Sequence, residues 1–174
     1  MNKKIMFCGT QCTGKSSLAE CFSNEILINT NGIRKISKKH NIEHSENSNE
    51  EAQTKFFNYY KKFVKENESF ISDRSLIDVF AYTTWLYKHF KISEEYWKKQ
   101  NKQLKKFIDE NTNIIYCYFP IEFPVEDDGI RSINEDYRKE IDEIIKDILQ
   151  VYKIDYFEIS GNLEDRKNII YTIL

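Results

Sequence analysis

Residues 9–16 restrict the fold of this chain more than any other segment. They read Gly-Thr-Gln-Cys-Thr-Gly-Lys-Ser, a complete G-x-x-x-x-G-K-[ST] pattern, and they follow the short apolar run Ile5-Met6-Phe7-Cys8. A buried strand, a glycine-containing loop and the start of a helix form the context in which this pattern binds phosphate groups. The sequence therefore predicts an α/β fold that carries a phosphate-binding loop.

Each fixed residue of this loop has a chemical role. Gly9 and Gly14 let consecutive backbone N–H groups curl around the β- and γ-phosphates of a nucleotide. Lys15 brings a positive charge to the same phosphates, and the Ser16 hydroxyl is a ligand for Mg²⁺. The helix that begins near Lys15 points its positive end at the anion. We therefore expect the following residues to bind a nucleoside triphosphate: Gly9, Thr10, Gln11, Cys12, Thr13, Gly14, Lys15, Ser16 and Ser17.

Length and composition exclude several classes of protein. A chain of 174 residues is long enough for one domain and too short for two large ones, so we expect a single domain over residues 1–174. The net charge of -2 does not attract nucleic acid or a membrane surface. The chain contains no apolar run of the roughly 18 to 20 residues that cross a bilayer, so we expect no membrane partner and a cytoplasmic location. Four cysteines without C-x-x-C spacing indicate reduced thiols rather than structural zinc.

Short β-branched or aromatic runs alternate with long helical stretches along the chain, which is typical of βαβ units around a parallel sheet. We predict five strands, near residues 3–8, 26–29, 69–72, 113–118 and 155–159. We predict six helices, at about 15–24, 49–66, 75–89, 93–110, 135–151 and 162–172. The polar segment 30–48 and the proline-containing segment 119–134 are predicted to be long loops.

A second motif follows the third predicted strand, where the chain reads Asp73-Arg74-Ser75. A carboxylate at the end of this strand lies beside the phosphate loop, where it can accept a proton from an attacking hydroxyl or bind hydrated Mg²⁺. The alternative role is helix capping, because Ser75 and Asp78 form an [ST]-x-x-[DE] capping box. Since Ser75 already caps the helix, we favour a catalytic role for Asp73.

Arginine is rare in this chain, which takes most of its positive charge from lysine. The five arginines are Arg34, Arg74, Arg131, Arg138 and Arg166. Guanidinium groups bind phosphoryl and carboxylate oxygens through paired hydrogen bonds, whereas lysine acts as a mobile point charge. Because the first four lie in or beside predicted loops, they favour an anion-binding site.

These residues resemble small P-loop nucleoside and nucleotide kinases, in particular nicotinamide riboside kinase-like proteins and their compact viral and bacterial relatives labelled AAA-type ATPases. The resemblance spans nearly the whole chain and rests on the phosphate loop, Asp73-Arg74-Ser75, Asp78, Ala81-Tyr82, and Asp128-Gly129 with Arg131 and Arg138. It implies a three-layer α/β/α sandwich with a five-stranded parallel sheet, and a lid at about 119–138. It also implies ATP with Mg²⁺ as the phosphate donor.

The same resemblance implies roles for individual residues. Asp73 would be the general base, and Arg74, from its position after the strand, can hold the acceptor or the phosphoryl group in transfer. Arg131 and Arg138 would be lid arginines, and Gly161 would border the adenine. The acceptor would bind to segment 30–66, and the residues expected to contact it are Arg34, Gln53, Arg74 and Tyr82.

The aromatic residues of the helix near 49–66 have two interpretations. Phe56, Tyr60 and Phe63 recur at helical spacing, and such a stripe is more often part of a core than a surface that stacks on a base. We therefore assign the stripe to the core. A homodimer formed through the aromatic helices remains an open alternative.

Three classes of function fit the sequence. The favoured one is an ATP- and Mg²⁺-dependent kinase that phosphorylates a nucleoside or a (deoxy)nucleoside monophosphate. The second is a kinase that acts on a 5′-hydroxyl or a modified base in nucleic acid, with the lysine-rich helix near residues 98–106 as the binding track. The third is a nucleotide-dependent ATPase or switch, which is disfavoured because Asp73-Arg74-Ser75-Leu76 lacks the glycine of a D-x-x-G switch motif.

Overall fold

The computed structural model describes residues 2–125 and 134–174. The strands are β1 (Lys4–Cys8), β2 (Ile28–Asn29), β3 (Phe70–Ser72), β4 (Ile114–Tyr118) and β5 (Tyr156–Glu158). The helices are α1 (Lys15–Glu20), α2 (Gly32–His40), α3 (Glu50–Glu66), α4 (Leu76–Lys88), α5 (Glu94–Glu110), α6 (Glu135–Val151) and α7 (Leu163–Ile173). A short 3₁₀ helix at Ser45–Asn47 lies between α2 and α3.

All five strands run parallel, in the order β2-β3-β1-β4-β5. Strand β1 is central, with Ile5 opposite Ile71 of β3 on one side and Ile115 of β4 on the other. The chain therefore leaves β1 toward one edge of the sheet and later returns to the other side of β1. In such sheets, ligands bind where the strand order reverses, at the carboxyl ends of the strands. The predicted five-stranded parallel sheet is confirmed, and the phosphate loop begins at this position.

Helices cover both faces of the sheet, which confirms the predicted three layers. Alternate side chains of a strand point to opposite faces. Met6 and Cys8 belong to a core cluster shared with α2 to α6, whereas Ile5 and Phe7 belong to a second cluster shared with α1 and α7. Because β1 is buried on both faces, its last four residues are all apolar.

Segment 30–48 does not form the long loop predicted from its polar composition, because it contains helix α2. The Asn31-Gly32 pair indicated a break, but Asn31 occupies the N-cap position with φ +60° and Gly32 is the first residue of the helix. A Cβ atom on Gly32 would lie 2.7 Å from the Tyr59 ring and 2.8 Å from the Tyr60 hydroxyl. The glycine is thus present because α2 packs closely against α3, a contact that cannot be predicted from the neighbouring residues in the sequence.

The helix that follows β3 begins as predicted. The Ser75 hydroxyl accepts a hydrogen bond from the backbone N–H of Asp78, and the Asp78 carboxylate accepts one from the backbone N–H of Ser75. This reciprocal capping box places the first turn of α4 beside the phosphate loop.

Part of the second predicted loop, including Gly129 and the predicted lid arginine Arg131, lies outside the described residues. Over residues 2–125 and 134–174, none of the helices has the length and apolar character required to cross a membrane.

Candidate active site

The phosphate loop leaves the end of β1 and enters α1 through two glycines that the geometry requires. Gly9 has φ +149° and Gly14 has φ +83°, values that side-chain-bearing residues rarely adopt. A Cβ atom on Gly9 would also lie 2.7 Å from the carbonyl oxygen of Phe119. Both backbone angle and packing therefore select glycine at these positions.

Lys15 is buried within this loop, with 5% of its surface exposed. Its Nζ donates hydrogen bonds to the carbonyl oxygen of Thr10 at 2.5 Å and to Thr13 Oγ1 at 2.8 Å. Burial lowers the pKa of Lys15 from 10.5 to about 7; the charge of Arg74 adds to this effect and Asp78 opposes it. Because phosphate groups favour the charged form of an amine, an anion in the loop would raise this pKa again.

Ser16 and Asp73 form the polar pair that the sequence predicted for Mg²⁺. Ser16 Oγ donates a hydrogen bond to Asp73 Oδ2 at 2.6 Å, and the backbone N–H of Asn31 donates to the same oxygen at 3.2 Å. Asp73 is 4% exposed, and its other oxygen, Oδ1, has no hydrogen-bond partner in the described structure. A buried carboxylate oxygen without a hydrogen-bond partner lowers the stability of the folded protein, so this oxygen is suited to bind a ligand or a proton.

The donor set at this point suits Mg²⁺. Within residues 2–125 and 134–174, no group of three or more His, Cys, Asp or Glu side chains could hold a metal ion. Mg²⁺ does not require such a cage, because it commonly takes one or two protein oxygens together with water and substrate phosphates. The Ser16 hydroxyl and the Asp73 carboxylate match that requirement.

Arg74 lies in a network that joins the first turns of α4 to the phosphate loop. Its Nη1 lies 3.6 Å from Asp78 Oδ1 and donates hydrogen bonds to the carbonyl oxygen of Gly9 at 3.4 Å and to the Tyr82 hydroxyl at 3.3 Å. Asp78 Oδ1 accepts a hydrogen bond from the backbone N–H of Gly9 at 2.9 Å. The Tyr82 hydroxyl in turn donates to Gln11 Oε1 at 3.1 Å. Asp78 thus has a second role beyond capping, which sequence reasoning did not find.

An open cleft runs from the phosphate loop to α2, α3 and α4. All four side chains predicted to contact an acceptor, Arg34, Gln53, Arg74 and Tyr82, line it. Two hydrogen bonds fix the orientation of the Gln53 side-chain amide: its Nε2 donates to Ser48 Oγ at 2.8 Å, and its Oε1 accepts from the Thr83 hydroxyl at 3.1 Å.

The aromatic stripe of α3 belongs to the core, as predicted. Phe56, Phe57 and Tyr60 are buried, and Phe63 is half-buried against the same cluster. Phe56 also lines the cleft. Six cleft-lining residues lie in segment 30–48: Asn31, Gly32, Ile33, Arg34, His44 and Ser45. Sequence reasoning singled out only Arg34 among them, because it predicted neither α2 nor the 3₁₀ helix.

The structure brings Arg138 to the phosphate loop, although Arg138 comes from α6 and is 1% exposed. Its Nε and Nη2 donate to the carbonyl oxygens of Gln11 at 3.1 Å and Cys12 at 3.0 Å. Gly161 follows β5, and its backbone N–H donates to the Glu122 carboxylate. Gly161 is not among the residues that line the cleft. Arg166, to which the sequence assigned no role, also contacts the loop.

The strand order and this loop define a P-loop α/β protein with the fold of nucleoside and nucleotide kinases. A family model described as an AAA domain matches residues 4–166, so the chain belongs to that AAA domain family. No curated protein matches the chain.

Several solved structures share the fold at low sequence identity. NadR in complex with NR superposes with a TM-score of 0.79 at 15% identity, over 99% of this chain and 50% of that one. Deoxyadenosine kinase from M. mycoides gives 0.64 at 17% identity, over 98% of this chain and 97% of that one. Thymidylate kinase from Candida albicans gives 0.66 at 15% identity, over 99% and 90%. The chain spans about half the length of the NadR chains. These structures confirm the predicted kinase fold.

Proposed function

We propose that this protein is an ATP- and Mg²⁺-dependent kinase that transfers the γ-phosphate to a nucleoside or a (deoxy)nucleoside monophosphate. The observation that carries the proposal is the continuity of the cleft, which joins the phosphate loop at Lys15 and Ser16 to Arg34 and Gln53. Donor and acceptor can therefore meet end to end within one site, as in-line phosphoryl transfer requires. NadR in complex with NAD and AMP-PNP and deoxyadenosine kinase with bound dATP support a nucleotide ligand for this fold.

On the donor side, the loop N–H groups and Lys15 would bind the β- and γ-phosphates. Lys15 would exchange its hydrogen bonds to Thr10 and Thr13 for the phosphate oxygens. Ser16 and Asp73 would hold Mg²⁺, which when bound neutralises charge on the phosphates. Gly161, in the loop between β5 and α7, would border the adenine.

On the acceptor side, transfer forms a bond between an acceptor oxygen and the γ-phosphorus while the bond from that phosphorus to the β-phosphate oxygen breaks and ADP leaves. For a hydroxyl acceptor, Asp73 would take the proton on Oδ1, the oxygen without a partner in the described structure. A monophosphate acceptor needs no base, because its oxygen is already ionised. Arg74 and Arg131 would neutralise charge on the phosphoryl group in transfer. Arg138, which the sequence assigned to the same role, instead donates to the loop carbonyl oxygens of Gln11 and Cys12.

The charge pattern of α5 favours this proposal over a kinase that acts on nucleic acid. Three of its lysines are paired with acids one turn away on the same exposed helix: Lys98 with Glu94 at 2.8 Å, Lys105 with Asp109 at 2.7 Å, and Lys106 with Glu110 at 3.6 Å. A face with alternating charges attracts a polyanion much less than a face of lysines alone.

A radiolabel transfer assay tests the proposal. Purified protein, Mg²⁺ and γ-labelled ATP are incubated with nucleosides, nucleoside monophosphates, nicotinamide riboside and 5′-hydroxyl oligonucleotides, with Lys15→Ala as the inactive control. We expect label in one small acceptor. Label only in an oligonucleotide would establish the nucleic-acid kinase instead, and free phosphate without a labelled acceptor would indicate an ATPase.

A further inference from the structure

We propose that Arg166 is a positioning residue that holds the phosphate loop in the conformation that binds polyphosphate; this inference rests on the proposed nucleotide binding. Arg166 lies in α7, and its side chain is 3% exposed. Its Nη1 donates a hydrogen bond to the carbonyl oxygen of Thr13 at 2.7 Å, and its Nε donates to that of Gly161 at 2.9 Å. Its Nη2 pairs with the carboxylate of Glu122.

The loop needs such donors because of how it binds an anion. When successive N–H groups converge on a phosphate, the carbonyl groups of the same loop must point the other way, into the protein. A buried carbonyl without a partner is destabilising. Arg138 binds the carbonyl groups of Gln11 and Cys12, and Arg166 binds that of Thr13. Three consecutive carbonyl groups therefore each accept a hydrogen bond from a buried guanidinium.

These contacts also hold a strained backbone conformation in the loop, at Cys12. Cys12 has φ +56°, a left-handed conformation that is unfavourable for a residue with a side chain. Such conformations persist only when the surrounding structure holds them in place. The hydrogen bond from Arg138 fixes the carbonyl group of Cys12 itself, and the one from Arg166 fixes the carbonyl group of the next residue, Thr13.

The site is shaped for an arginine in particular. A Cβ atom on Gly14 would lie 2.9 Å from Arg166 Nη1, so this glycine leaves space for the guanidinium as well as adopting its backbone angle. The guanidinium carbon also lies 5.5 Å and 4.8 Å from the ring centroids of Phe119 and Phe123. A planar group that donates in three fixed directions meets all of these partners, whereas a lysine ammonium is a flexible point charge.

The test compares variants by their affinity for Mg²⁺-tripolyphosphate and Mg²⁺-ATP, measured by isothermal titration calorimetry. Tripolyphosphate reports on the loop alone, because it carries no base. We expect Arg166→Lys and Arg166→Ala each to weaken tripolyphosphate binding by about tenfold or more, the usual effect of losing charge-assisted hydrogen bonds. The matched control is Lys167→Ala, which removes the next side chain and its 2.9 Å ion pair with Glu164. We expect this control to bind both ligands normally.

Chemical rescue separates positioning from general support of the fold. Added guanidinium at low millimolar concentration should restore part of the affinity of Arg166→Ala and should not change that of Lys167→Ala. Thermal unfolding of each variant checks that it is folded, and Arg166→Lys carries the test where the alanine variant is not. A folded Arg166→Lys that binds tripolyphosphate as tightly as the unaltered protein overturns the inference.

Two other outcomes also decide against it. If neither variant folds, Arg166 supports the whole fold rather than the loop. If the unaltered protein binds neither ATP nor tripolyphosphate, the proposed function fails and the inference fails with it. By contrast, normal binding that is insensitive to Arg166 refutes the inference alone.

Discussion

Nucleotide binding is expected to take up close to one proton at pH 8, because the buried amine of Lys15 is mostly neutral before the phosphates arrive. Its pKa is lowered from 10.5 to about 7, chiefly by burial. At pH 8, about one tenth of the Lys15 side chains would then carry a charge, and at pH 6 about nine tenths. Since bound phosphates favour the ammonium form, uptake should approach about 0.9 proton at pH 8 and fall to about 0.1 at pH 6.

The same shift changes the stability of the nucleotide-free protein. Between pH 7 and 10.5 the unfolded chain binds more protons at Lys15 than the folded protein does, so stability rises with pH across this window. A shift of this size corresponds to a destabilisation on the order of 5 kcal/mol below pH 7, removed progressively toward pH 10.5. Bound phosphates would therefore stabilise the charged form of Lys15, which is unfavourable in the nucleotide-free site.

The proton uptake is measured by calorimetric titration with a non-hydrolysable ATP analogue in two buffers that differ in ionisation enthalpy. The difference between the two heats of binding gives the number of protons taken up. Lys15→Met is the control for stability, because its free energy of unfolding should lack the rise between pH 7 and 10.5. Equal pH dependence in both proteins, or negligible proton uptake at pH 8, would refute this reasoning.

Three further predictions concern the site and its supports. Asp73→Asn should retain ATP binding while lowering phosphate transfer to a hydroxyl acceptor by roughly 10²- to 10⁴-fold in a steady-state assay, and full activity would exclude Asp73 as the base. Gly32→Ala should lower the free energy of unfolding by about 1 to 3 kcal/mol in urea titrations, since the new methyl group meets the Tyr60 hydroxyl at 2.8 Å. Helix propensity alone predicts that the same change raises the free energy of unfolding by about 1 kcal/mol, so a more stable variant would show that α2 can shift. The control is Lys35→Ala, at an exposed position of the same helix. Ser75→Ala should lower stability by about 1 kcal/mol through loss of the helix cap, and an unchanged denaturation midpoint would contradict this.

Much of the fold could be predicted because the relevant information lies in contiguous residues. The apolar run before Gly9 indicated β1, and the Ser75 and Asp78 spacing indicated the start of α4. Asp73 could be placed beside the loop because parallel strands bring their carboxyl ends to one edge of the sheet, and the 2.6 Å contact between Asp73 and Ser16 agrees with that placement.

The sequence by itself determined the phosphate loop, the parallel sheet and the strand-end acid, since hydrophobic runs, glycines and caps act over a few residues. Only the tertiary structure decided that Gly32 begins a helix, that the pKa of Lys15 falls to about 7, and that Arg138 and Arg166 bind the loop carbonyls. The two arginine contacts join residues more than a hundred positions apart. The physical reason is that burial, close packing and hydrogen bonding between distant segments exist only once the chain has folded.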